Sequence, residues 1–138
     1  MKNLCIFSFL ICIFFSVKAD WKKLRDGRQF NLYTDLNKNQ KEGDFVKIWL
    51  LSDYKSLQII NKNFLKNNKK KENYLSTVRK IILNCKNNSY RTINYRFMNE
   101  NLGKGKIILE LKGKEQNWDW EKIPKASTYG WLMKKNCK

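Results

Sequence analysis

Cys85 and Cys137 constrain this chain more than any other feature, because everything ahead of residue 20 reads as a leader. Lys2 gives a short positive start, residues 4–15 form an apolar run, and Val17-Lys18-Ala19 fits the small-x-small rule for cleavage. A permanent membrane anchor needs about 20 apolar residues, and this run is shorter. Ile11 precedes Cys12 where a lipidation signal needs a small residue, so Cys5 and Cys12 read as apolar filler of the leader. The expected organisation is a signal peptide at 1–19 and one domain at 20–138, with no transmembrane anchor. Two cysteines in an exported chain imply one disulfide, worth roughly 4 kcal/mol by loop entropy.

Period-two alternation dominates the remainder. Strands are expected at residues 30–35, 45–54, 74–85, 89–98 and 106–112, with 118–120 as a loop or short strand. Residues 45–54 are dense in β-branched and aromatic side chains, which suits a central strand buried on both faces, with Trp49 in the core. In 89–98 the alternation puts Ile93, Tyr95 and Phe97 on one face and Thr92, Asn94 and Arg96 on the other. Residues 55–73 give no clear pattern. Leu57, Ile60, Phe64 and Leu65 have partial helical spacing, and the lysine-rich part reads as a solvated loop. Asn101-Leu102-Gly103-Lys104-Gly105 reads as a turn, since it lacks the spacing and the following helix of a phosphate loop. Ser127 suits a helix N-cap, and Tyr129, Leu132, Met133 and Asn136 follow at helical spacing, with Leu132 and Met133 placed to pack on the sheet. The expected fold is α+β: an antiparallel sheet of about six strands, one C-terminal helix packed on one face, and one disulfide.

The chain contains no histidine. That removes the commonest general base and the commonest metal ligand, and with them any Ser-His-Asp or Cys-His arrangement. Zinc would lack its usual nitrogen and sulfur ligands once the cysteines pair. No catalytic residue, metal site or cofactor is therefore expected. Asp119 and Glu121 read as solvated acids.

The net charge is +17, carried by 24 Lys and only 5 Arg, with 17 Asn beside them. One reading is a surface that attracts polyanions. The other is compositional, because AT-rich coding favours Lys and Asn. Both stay open at this point. Lys66, Lys69, Lys70 and Lys71 form the densest basic cluster, a candidate anion or ligand patch for sulfated glycans or acidic host proteins. Trp118, Trp120 and Trp131 are a candidate aromatic patch, with sheet-edge cover as the alternative. A nucleic-acid partner is not expected, since the leader argues against it and no recognised motif is present.

Several residues, in this order, carry a likeness. They are Trp21, Tyr33-x-Asp35, Val46-Lys47-Ile48-Trp49-Leu50-Leu51-Ser52-Asp53-Tyr54, Tyr74-Leu75-Ser76-Thr77-Val78-Arg79, Asn84-Cys85, Arg91, Tyr95, Gly103-x-Gly105, Trp118, Ile123-Pro124, Ser127 and Cys137. Together they resemble the surface-adhesin protein E family of small exported proteobacterial proteins. The resemblance implies a sheet with a packed helix, a disulfide, and export to the periplasm or cell surface. It also implies a non-enzymatic binding module, with host matrix glycoproteins such as vitronectin and laminin as expected partners. A periplasmic structural or accessory role without a host ligand is the alternative.

Overall fold

The computed structural model describes residues 19–60, 72–113 and 118–138. Lys66, Lys69, Lys70 and Lys71 lie outside them, as do Phe64, Leu65 and the leader up to residue 18. Among the described residues, alternating apolar and polar side chains give eight strands: β1 (Trp21–Arg25), β2 (Phe30–Asp35), β3 (Gln40–Glu42), β4 (Phe45–Ile59), β5 (Asn73–Asn84), β6 (Ser89–Met98), β7 (Ile107–Lys112) and β8 (Glu121–Lys122). They form one antiparallel sheet in the order β1-β2-β4-β5-β6-β7, with β3 added beside β4 and β8 beside β6. The short strands β1, β3 and β8 carry too few alternating residues to stand out in sequence.

The register sorts side chains onto two faces. Val46 opposes Leu83, Ile48 opposes Ile81, and Leu32 opposes Ser52 one strand further out. Val46, Ile48, Leu50, Ile81 and Leu83 are almost completely buried on this face, against Leu132 and Met133. Each such side chain contributes about 1.5–3 kcal/mol through removal of apolar surface from water. Leu51, Val78 and Met98 pack on the opposite face with Trp21, Tyr33 and Trp49. The β4 strand is thus buried on both faces at Leu50 and Leu51, as its composition predicts. It departs from expectation at Trp49, which is only half-buried. It also runs on to Ile59, where Leu57 and Ile59 are exposed and not on a helix.

One alternation is out of phase. Lys80 pairs with Asn94, yet Ile81 pairs with Thr92, so Ile93 is an extra residue in β6. A bulge of this kind shifts the face assignment by one residue. Tyr90 and Thr92 therefore share the helix face with Tyr95 and Phe97, and the sequence assignment of Thr92 and Ile93 is corrected.

The helix α1 (Thr128–Asn136) is capped as predicted, the Gly130 amide donating to Ser127 Oγ at 3.0 Å. Lys134 and Lys135 in the last turn complement the helix dipole. Cys137 joins Cys85 across 52 residues with the Cα atoms 5.5 Å apart, which pins the helix to the end of β5. Gly130 weakens the helix by propensity, but packing requires it. A Cβ there would crowd the Lys125 carbonyl oxygen and lie 2.7 Å from that of Pro124. Gly130→Ala should therefore destabilise, by about 1–3 kcal/mol, where propensity alone predicts a gain of about 1 kcal/mol. The sign of the midpoint shift in urea unfolding checks this.

Candidate binding face

The face turned away from α1 collects cations and aromatic rings because β4, β5 and β6 place Lys47, Trp49, Lys80, Arg91 and Arg96 on the same side of the pleat. Lys80 stands directly opposite Trp49, with its ammonium 5.1 Å from the ring centroid, and the Arg96 guanidinium is 5.6 Å from the same ring. Such contacts contribute about 0.5–1 kcal/mol each at exposed sites. Arg96 also donates to Glu110 at 2.8 Å, and Asn94 Nδ2 donates to the same oxygen at 2.8 Å. These bonds, Asn94 first and then Arg96, hold the Glu110 carboxyl below its ordinary range. Lys47 is paired with Glu42 at 2.9 Å.

Arg91 is different. Its guanidinium lies 5.0 Å from the centroid of Trp120, and its Nε is buried without a hydrogen-bond partner among the described residues. It borders two hollows. One, of about 270 Å³, is lined by Phe45, Lys47, Ile82 and Trp120 together with Gln40 and Glu42. The other, of about 680 Å³, is lined by Thr92, Ile93, Asn94, Lys112, Gly113 and Trp118. The Phe45 and Trp120 rings lie 6.0 Å apart and extend the apolar wall. Trp120, Phe45 and the Ile93 bulge thus frame a cation with unused hydrogen-bonding capacity. A site of this kind can stack an apolar sugar or side-chain surface and bind an anionic group beside it.

The structure brings two of the three sequence-predicted tryptophans to Arg91. Trp118 borders the larger hollow while also packing on the cluster of Ile60, Phe97 and Leu111. Trp120 borders the smaller. Trp131 stands elsewhere, on α1 beside Lys22–Arg25 of edge strand β1, with Lys135 over its ring at 5.0 Å. Arg91, Phe45, Trp49, Lys80 and Arg96 were not legible as site residues. The sequence pattern marks them as strand positions, and only the register places them together.

On the helix face, Arg79 donates to the Tyr129 hydroxyl and lies between the Tyr95 and Tyr129 rings, 5.8 and 5.7 Å from their centroids. Tyr90 stacks on Tyr129 with centroids 4.5 Å apart and donates to Glu121 at 2.6 Å. Burial, then the bond to Glu121, pushes the Tyr90 hydroxyl well above the ordinary tyrosine range. This layer packs the helix. Among the described residues no group of three or more Cys, Asp or Glu side chains is placed to hold a metal ion, and no helix is long and apolar enough to cross a membrane.

Sheet, docked helix and staple define a class: single antiparallel-sheet domains with a disulfide-anchored C-terminal helix. Within it, the chain belongs to the surface-adhesin protein E family, whose model matches residues 21–138. No curated protein sequence matches it. Among solved structures it is similar to protein E from non-typeable Haemophilus influenzae, at 17% identity and a TM-score of 0.60 over 89% of this chain and 78% of that one. A second structure of Haemophilus influenzae protein E gives 17% identity and 0.60 over 88% and 86%. Its crystal form II gives 16% and 0.57 over 83% and 91%. At these identities the likeness shows the fold alone. The family resemblance and the α+β architecture expected from sequence both hold.

Proposed function

We propose that the domain is an exported, non-enzymatic adhesin that engages an anionic host matrix partner through the Arg91 face. The observation that supports this reading is the placement of Arg91 between two hollows, beside Trp120, with a buried Nε left without a partner. Family membership supports the adhesin class. Host matrix glycoproteins or the sulfated glycans attached to them fit the chemistry of the face, since sugar rings stack on tryptophan and sulfate pairs with guanidinium. Lys66, Lys69, Lys70 and Lys71 would add charge to the same encounter. Cleavage after Ala19 would release the domain to the periplasm or cell surface.

Binding to immobilised heparin, vitronectin and laminin tests the reading. Affinity should fall steeply with salt. Arg91→Glu and Trp120→Ala should each weaken it at least tenfold, a change of about 1.4 kcal/mol. Lys134→Glu on the exposed side of α1 serves as the control. Salt-independent binding that ignores Arg91→Glu would defeat the assignment of this face. Protease shaving of intact cells separates the alternative: a domain reachable only after the outer membrane is opened is an accessory periplasmic protein.

A further inference from the structure

Asp35 is a buried carboxylate with an incomplete set of partners. It is 1% exposed, at the end of β2, and opposes Trp21 across the β1–β2 ladder. Its Oδ1 accepts from the Asn37 amide at 3.2 Å. Its Oδ2 is buried and accepts no hydrogen bond among the described residues. Lys38 Nζ lies 3.5 Å from Oδ2, but the lysine side chain is 41% exposed and forms no hydrogen bond there. A buried carboxylate oxygen without a donor costs about 1–3 kcal/mol or more.

Asp35 borders a cavity of about 240 Å³ with Ala19, Trp21, Trp49 and Val78 among its walls. Asn37 ties the next residue to the same place. Its side-chain amide donates to Asp20 Oδ2 at 3.3 Å while its backbone amide donates to Asp35. Ala19 and Asp35 line the same cavity, so the Ala19–Asp20 peptide bond, where the leader motif predicts cleavage, adjoins it.

We infer that the cavity is an ammonium site filled by the chain's own new amino terminus. The inference rests on cleavage after Ala19 and is independent of the binding-face reading. Hydrolysis adds water across the Ala19–Asp20 bond, leaving a carboxylate on Ala19 and an α-ammonium on Asp20. The amide at Asp20 has one N–H, and the ammonium has three donors and a positive charge. It supplies the hydrogen bond that the Lys38 ion pair, at 3.5 Å, leaves unmade. Arg96, which also lines the cavity, is committed to Glu110. Removal of the leader thus completes the β1–β2 edge of the sheet.

The test begins with the protein exported by its own leader. Intact mass and amino-terminal sequencing should show Asp20 as the first residue; any other start overturns the inference. The processed protein should melt about 3–6 °C above a form carrying two extra residues before Asp20. Asp35→Asn should abolish that difference. The α-amine should be acylated about tenfold more slowly than that of a free peptide with the same first residues. Equal melting of the two wild-type forms, or a difference that persists in Asp35→Asn, overturns the inference. If Asp35→Asn does not fold, the wild-type pair and the acylation rate decide between the outcomes. Recovery of the extended form by millimolar ethylamine would make the site a receptor for soluble amines, and would overturn its assignment to the amino terminus.

Discussion

Reduction of the Cys85–Cys137 bond is expected to lower the stability of the domain by roughly 4 kcal/mol, the loop-entropy value for a closure of this length. For a domain of this size that corresponds to a fall in melting temperature of about 12–20 °C. The effect is large because the bond does two things. It restricts the unfolded chain across 52 residues, and it holds a nine-residue helix too short to persist alone in water. Circular dichroism melts of the oxidised protein, the reduced protein and a Cys85→Ser, Cys137→Ser double variant check this. The reduced and double-variant forms should agree. A melting temperature unaffected by reduction would show that the helix is held by packing alone.

Leu132→Ala is expected to cost about 2–5 kcal/mol. Leu132 is completely buried and, with Met133, enters the cluster of Val46, Ile48, Ile81 and Leu83 from the helix. Its neighbours belong to hydrogen-bonded strands, so they cannot close over the void. The two effects should not add. Once the disulfide is gone the helix can leave the sheet, and the truncated side chain then costs less. The double-mutant cycle between Leu132→Ala and Cys137→Ser should give a coupling of about 0.5–3 kcal/mol. Strict additivity would show that the helix stays docked without its covalent tie.

These expectations draw on elements that were legible in the sequence for a clear reason. Strands β2, β4, β5, β6 and β7 announce themselves because one apolar face must be covered, and alternation records that need. The helix was legible from Ser127, whose hydroxyl caps it, and from Leu132 and Met133 at the spacing of one face. The bulge at Ile93 was not, since one added residue leaves composition unchanged and alters only the pairing with β5. The candidate site was legible only in part. Trp118 and Trp120 stood out by type, but Arg91 looks like any polar strand residue until β6 is placed beside β8 and the Trp120 segment. Trp131 has the same chemistry as the other two and ends up on a different element. Strand composition places Trp49 in the core, yet the pleat turns it toward Lys80 and Arg96.

The strand order has a consequence in time. Along β1-β2-β4-β5-β6-β7 the strands pair in the order they are made, with only β3 passed over between β2 and β4, so the sheet up to β5 closes without waiting for later residues. A chain that emerges amino end first, from a ribosome or a translocation pore, can assemble β1 to β5 while the rest is still to come. Cys85 is complete at that moment, and its partner is 52 residues away. At ordinary synthesis rates the interval is on the order of seconds. During that interval Cys85 is a single thiol at the rim of an assembled platform, open to an oxidant or to a neighbouring chain. The arrival of α1 ends this exposure: the element that covers the sheet also brings the cysteine that takes up the Cys85 thiol.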